Sequence, residues 1–219
     1  MSEEPFEQTR LRAAGVGTTP AITLGHGRTV VVLLHQTDGG GACGWLPFMS
    51  AHANQQMTFL ALDLCRYGES ACTKVERGTF TPSDQTDVVA LAVHHAREVI
   101  GAKHVVVMGA SMGGSVALIS AVRLPGIDAA VDLSGPAGWP GADVVRGGRA
   151  LRVPVFIATA QEEGDAEVAS ARTTAAQAPP GSTFQLSPRG HGYELVTGPD
   201  GQPLTLGRSV LAWIEDLTG

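Results

Sequence analysis

The stretch over residues 105–124 constrains the fold of this chain more than any other. Val105-Val106-Val107-Met108 is an unbroken apolar run rich in β-branched residues, the pattern of a strand covered on both faces. Gly109-Ala110-Ser111-Met112-Gly113 follows at once, and residues 114–124 then have the composition of a helix. A chain that passes from buried strand to helix within five residues must turn sharply. The glycines two residues either side of Ser111 remove the side chains that would collide in such a turn. Ser111, at the apex, is predicted to take a strained backbone conformation costing about 1–3 kcal/mol. Its hydroxyl is thereby pushed out at the edge of a sheet.

The rest of the chain repeats the alternation. Thr29-Val30-Val31-Val32-Leu33-Leu34-His35 reads as a second buried strand, ending in the glycine-rich loop His35-Gln36-Thr37-Asp38-Gly39-Gly40-Gly41. Residues 45–54 suit a helix, 58–63 a strand, and 63–70 a loop. Thr81 as cap, Pro82 at the first helical position and Asp84 mark a helix start. Val88, Val89, Ala92, Val93, Ala96, Val99 and Ile100 then recur at helical spacing. Residues 127–133, 153–158 and 183–186 are further short strands, and 166–176 and 207–217 further helices. Upstream, residues 1–10 are polar and expected to fray. Residues 11–24, interrupted by Gly15, Gly17 and Pro20, suit edge strands or a hairpin. Strands alternating with helices predict an α/β fold with a mostly parallel central sheet and helices on both faces. With no repeat and no long linker, the chain reads as one domain: residues 1–28 form N-terminal edge strands and a tail, and 29–219 the α/β core.

Composition narrows the function classes. At 219 residues, 43% apolar and 16% charged, the chain can bury a sizeable core and is not expected to be disordered. A formal net charge of −6 argues against nucleic acid or an anionic membrane as a main partner. No apolar run reaches the length of a membrane span. Met1-Ser2-Glu3-Glu4-Pro5 lacks the basic and apolar regions of a signal peptide, which predicts a cytoplasmic protein unless a leader preceded it. Cys43, Cys65 and Cys72 have no zinc-site spacing. Cys65 and Cys72 are near enough in sequence to close a small disulfide, but reduced cysteines are the expectation for the cytosol.

A serine hydroxyl is a poor nucleophile until a neighbouring base takes its proton. Downstream of Ser111, Ser187-Pro188-Arg189-Gly190-His191-Gly192 puts a histidine in a glycine-flanked loop after a strand. Between them, the strand over 153–158 runs into the acidic turn Thr159-Ala160-Gln161-Glu162-Glu163-Gly164-Asp165. Serine, acid, histidine is the chain order of α/β-hydrolases. On these residues the chain resembles an α/β-hydrolase of the small, lidless esterase or dienelactone-hydrolase-like kind, from about Val30 to the C-terminal helix.

That resemblance implies a nucleophile at Ser111 and a general base at His191. It implies an acid about three residues past the strand, for which Ala160-Gln161-Glu162-Glu163 makes Glu163 the match, with Asp165 and Glu162 open as alternates. The oxyanion hole would use the backbone N–H of Met112 and that of Gln36 in the loop after His35, with Thr37 open as the alternate. Two positions depart from the family pattern: Gln36 stands where glycine is commoner, and Arg66 replaces the first glycine of the Asp-x-x-Gly-x-Gly-x-Ser loop. The implied activity is hydrolysis of a small to medium carboxylic ester or thioester through an acyl-enzyme, with no metal or organic cofactor. A non-catalytic binding protein and an acyltransferase are the alternatives. His35 is expected to orient its loop, His94 and His95 to be solvated or packed, and Trp45 and Trp139 to serve the core or a pocket wall. Residues 135–150, where larger relatives insert a cap, are too few for a helical lid and are expected to form a mobile rim.

Overall fold

The computed structural model describes residues 5–38, 40–53, 56–72 and 82–219, with the backbone alone for 82–84. The chain runs β1 (Glu7–Ala13), β2 (Gly17–Gly25), β3 (Thr29–Leu34), a 3₁₀ turn (Gly41–Trp45), α1 (Leu46–His52), β4 (Met57–Leu62), β5 (Ala71–Cys72), α2 (Pro82–His95) and β6 (His104–Ala110). It continues through α3 (Met112–Arg123), β7 (Ala129–Leu133), β8 (Val155–Ala160), α4 (Asp165–Gln177), β9 (Thr183–Ser187) and α5 (Thr205–Thr218). The sheet order is β1-β2-β4-β3-β6-β7-β8-β9, with β5 added to β2. β1 and β2 pair antiparallel, as do β2 and β4, whereas every neighbour from β4 across to β9 is parallel.

The continuous apolar runs have a simple cause. Along β3 all six residues are buried, but alternate ones serve opposite faces. Val30, Val32 and Leu34 pack with α2 and α3 residues such as Val89 and Val116, while Val31 and Leu33 pack with Phe48 of α1 and Val210 and Ile214 of α5. Both faces are covered, so neither phase of the strand can be polar. The parallel strands all end at one edge, and the loops after β3, β6, β8 and β9 gather there.

Several expectations need correction. Residues 7–10 are not frayed: they belong to β1, held by pairing with β2 and by an Arg10–Glu69 ion pair. The first helix begins one residue later than expected, after the 3₁₀ turn, with Pro47 in its first turn. That helix also ends at His52, two residues sooner than expected, and the expected Thr81 cap lies outside the described residues. The cysteines are not all reduced, because Cys65 and Cys72 form a disulfide with Cα atoms 5.6 Å apart, leaving Cys43 free. Closing so short a loop removes unfolded-state entropy equivalent to about 2–3 kcal/mol. Such a bond persists in oxidising surroundings, which pulls against the cytoplasmic expectation.

Arg66 explains its own departure from the family pattern. It adopts φ 73°, a left-handed conformation natural to the glycine it replaces, and Gly68 follows at φ 52°. Residues 135–150 form no helical cap. They carry a short 3₁₀ segment, Ala142–Gly148, that lies against α3 and α4. Among the described residues, no helix is long and apolar enough to cross a membrane.

Candidate active site

Ser111 sits at the junction of β6 and α3 with φ 52° and ψ −118°, a conformation L-residues rarely adopt. Its N–H donates to the Leu133 carbonyl at 2.7 Å, tying the turn to β7. A Cβ on Gly109 would overlap the Gly113 carbonyl, and one on Gly113 would overlap the Leu34 carbonyl. Both glycines are therefore required by close backbone approach, the first within the turn and the second between α3 and β3. The Met112 N–H, in the first turn of α3, has no partner among the described residues and stands as a free donor beside the serine.

His191 follows β9, and Glu163 lies in the 3₁₀ turn after β8. The structure sets His191 Nδ1 3.3 Å from Glu163 Oε1. Burial pushes the Glu163 carboxyl up, but the His191 hydrogen bond, the nearby Ser134 hydroxyl and the His191 charge together carry it below the usual carboxylate range. The same hydrogen bond raises the His191 pKa above its ordinary value, against the effect of burial. The two other acids are placed elsewhere: Glu162 accepts the Gly190 N–H at 2.7 Å, and Asp165 accepts from the Gln161 side chain at 3.2 Å. Ser111 and His191 come from strands that are not neighbours, yet their loops meet. A Cβ on Gly192, the residue after His191, would stand 3.3 Å from that of Ala110, the residue before Ser111.

The loop after β3 is held by buried polar groups. His35, fully buried, accepts the Leu64 N–H at Nε2 (2.9 Å), which leaves Nδ1–H to donate to the Gln36 carbonyl at 2.7 Å. Burial lowers its pKa, and the two bonds tie the start of this loop to the loop after β4. Asp63 accepts the N–H groups of Ala42 and Glu69, at 2.8 and 3.1 Å, linking this region to the loop after β4. Gln36 differs from the expectation for it. Its N–H already donates to the Tyr193 hydroxyl at 3.1 Å, whereas the Thr37 N–H has no partner among the described residues. Trp45 is wholly buried against Phe48 and Tyr193, and so belongs to the core rather than a pocket wall.

Sequence reasoning missed two groups beside the acid. Ser134, buried at the end of β7, has φ 61°; its hydroxyl lies close enough to lower the Glu163 pKa without meeting hydrogen-bond geometry. Asp132, on β7, accepts the Gly135 N–H at 2.6 Å. Burial pushes its pKa up to about 8, against the effect of that hydrogen bond. Both border a cavity of about 240 Å³ that also touches Glu163, Glu167 and Arg146. The signal was present as an acid inside an otherwise apolar strand followed by Ser-Gly-Pro. Among the described residues no cluster of three or more His, Cys, Asp or Glu could hold a metal ion.

Asp132 has a consequence for stability. The folded protein keeps a proton on Asp132 up to about pH 8, while an unfolded chain loses it near the ordinary value of 3.8, so stability falls as pH rises between those values. Asp132→Asn keeps an acceptor for Gly135 but cannot ionise. Urea unfolding at pH 5 and pH 8 should show a loss for the parent larger by about 2–4 kcal/mol than for the variant. Parallel losses would mean that Asp132 is ionised in the fold.

Solved structures share this architecture. The Pyrococcus furiosus esterase Pf2001 is 14% identical, with 99% of this chain and 92% of that chain covered at a TM-score of 0.79. Proline iminopeptidase of Mycobacterium smegmatis is 11% identical, covering 97% of this chain and 99% of that one at a TM-score of 0.74. A thermophilic esterase from Thermogutta terrifontis is 15% identical, over 97% and 100% of the two chains, with a TM-score of 0.73. The chain therefore has the α/β-hydrolase fold, in a single-domain form. No protein-family model and no curated protein matches its sequence.

Proposed function

We propose that the protein is a serine hydrolase of small to medium carboxylic esters or thioesters. His191 takes the proton of Ser111, whose oxygen attacks the substrate carbonyl. The oxyanion is held by the Met112 N–H and by an N–H of the loop after β3. Thr37 is the stronger candidate for that second donor, because the Gln36 N–H is engaged by Tyr193. His191 then protonates the leaving group, and water activated by the same imidazole releases the acid. Glu163 fixes the ring so that Nε2 is the basic nitrogen, and stabilises the imidazolium.

The observation that carries this reading is the meeting of the two loops. A strained serine at the end of β6 lies beside a histidine loop whose imidazole already contacts a carboxylate. A surface histidine or an ordinary glycine turn has no reason to combine backbone strain with a paired base. The esterases among the structural neighbours agree with it as fold-level analogy. A panel of chromogenic esters of graded acyl length tests it. Turnover is expected, fastest on short acyl groups because residues 135–150 build no helical cap to form an extended acyl tunnel. Folded protein that turns over no member of the panel would overturn the proposal.

A further inference from the structure

The Gln36 side chain is fixed in a way that an oxyanion-loop residue does not require. Its Oε1 accepts the Tyr193 N–H at 3.3 Å, while its own N–H donates to the Tyr193 hydroxyl at 3.1 Å. Its Nε2 donates to Asp38 at 3.1 Å. The two residues are 157 positions apart in sequence and are joined reciprocally, backbone to side chain in both directions. The surroundings are shaped to this contact. Gly192 has φ 55°, and a Cβ there would overlap Gln36 Oε1. A Cβ on Gly44 would stand 2.6 Å from the Tyr193 ring, which also packs in a T-shaped pair with Trp45 at a centroid distance of 4.9 Å.

We propose that Gln36 and Tyr193 form a clamp that sets the His191 loop against the loop after β3, making both positioning residues for acyl transfer; this rests on the esterase reading above. The His191 side chain is 48% exposed and contacts Glu163 at 3.3 Å, so the ring itself is loosely held. Glu162 ties Gly190 to the turn after β8, and Glu194 ties the His191 N–H to its own loop at 3.2 Å. Neither bond reaches the side of the site where the oxyanion would form. The clamp does, and it fixes the distance between base and oxyanion donors, where a displacement of about 1 Å can cost on the order of 10²-fold in rate. Glycine at position 36 would supply no Oε1, so the clamp depends on the residue by which this chain departs from the family pattern.

The test is a double-mutant cycle of Gln36→Ala and Tyr193→Phe in the full chain, with His191 titrated by NMR. Each single change removes one of the two bonds and should lower kcat about tenfold with KM within about threefold. The double variant should be no worse than the less active single, because the clamp holds only with both bonds in place and losing either one opens it. The His191 pKa should fall toward its ordinary value in each, as the Glu163 contact loosens. Losses that multiply in the double variant, or a gain in kcat from Tyr193→Phe, would overturn the clamp. Tyr193→Phe keeps the ring packed on Trp45, so it serves alone should Gln36→Ala fail to fold. If the parent turns over no ester, the esterase reading has failed, and the clamp is decided by the His191 titration: an unmoved pKa in folded variants overturns it.

Discussion

Glu163→Gln is expected to lower kcat for ester hydrolysis by about 10³–10⁴-fold, while Asp165→Asn changes it by less than about threefold. The amide keeps the size of the side chain but presents the wrong partner to Nδ1 and cannot stabilise an imidazolium. Among the described residues Asp165 accepts from Gln161, and it opens α4, so neutralising it leaves the imidazole untouched. The pH profile separates a catalytic acid from a merely structural one. Because Glu163 raises the His191 pKa, activity should set in at a higher pH than an ordinary histidine would give. Without the carboxylate, the remaining activity of Glu163→Gln should set in at lower pH. Steady-state rates across pH 5–9 for both variants measure this, and a larger loss from Asp165→Asn would show the acid to be misassigned.

The second large effect concerns Ser111. Ser111→Ala should lower kcat by about 10⁵–10⁶-fold, leaving whatever rate the oxyanion donors and substrate binding supply. Ser111→Gly should be as inactive yet more stable than the parent, by about 1 kcal/mol, since glycine accepts φ 52° without strain. Opposite signs for activity and stability at one position are hard to obtain from an ordinary turn. Turnover together with thermal or urea unfolding of the two variants checks both. A Ser111→Gly protein that loses stability would mean the elbow is unstrained.

Much of the fold was legible because burial on both sheet faces leaves strong marks. The runs at β3, β4 and β6 are apolar in both phases, and only a covered parallel sheet demands that. Gly109 and Gly113 were readable from the steric demand of the turn itself. The unread parts depend on contacts between distant segments. β1 starts at polar Glu7 because an edge strand can be polar and still pair. The Cys65–Cys72 bond depends on how the loop after β4 folds back to β5, and neither spacing nor composition shows that. Gln36 looked like an oxyanion residue because nothing local reveals that a tyrosine 157 positions away would take its N–H. Asp132 was visible as an acid in a strand, but its proton is held by burial among side chains from α3, α4 and the turn after β8.

The central claim is that Ser111 is a nucleophile activated by its surroundings. Treating the folded protein with a fluorophosphonate probe, then mapping the adduct by mass spectrometry, tests it most directly. The expected result is stoichiometric modification of Ser111 in the folded protein, abolished by unfolding and greatly slowed in His191→Ala. Folded protein whose Ser111 stays unmodified after the same treatment, while the probe labels an ordinary serine hydrolase, would contradict the claim.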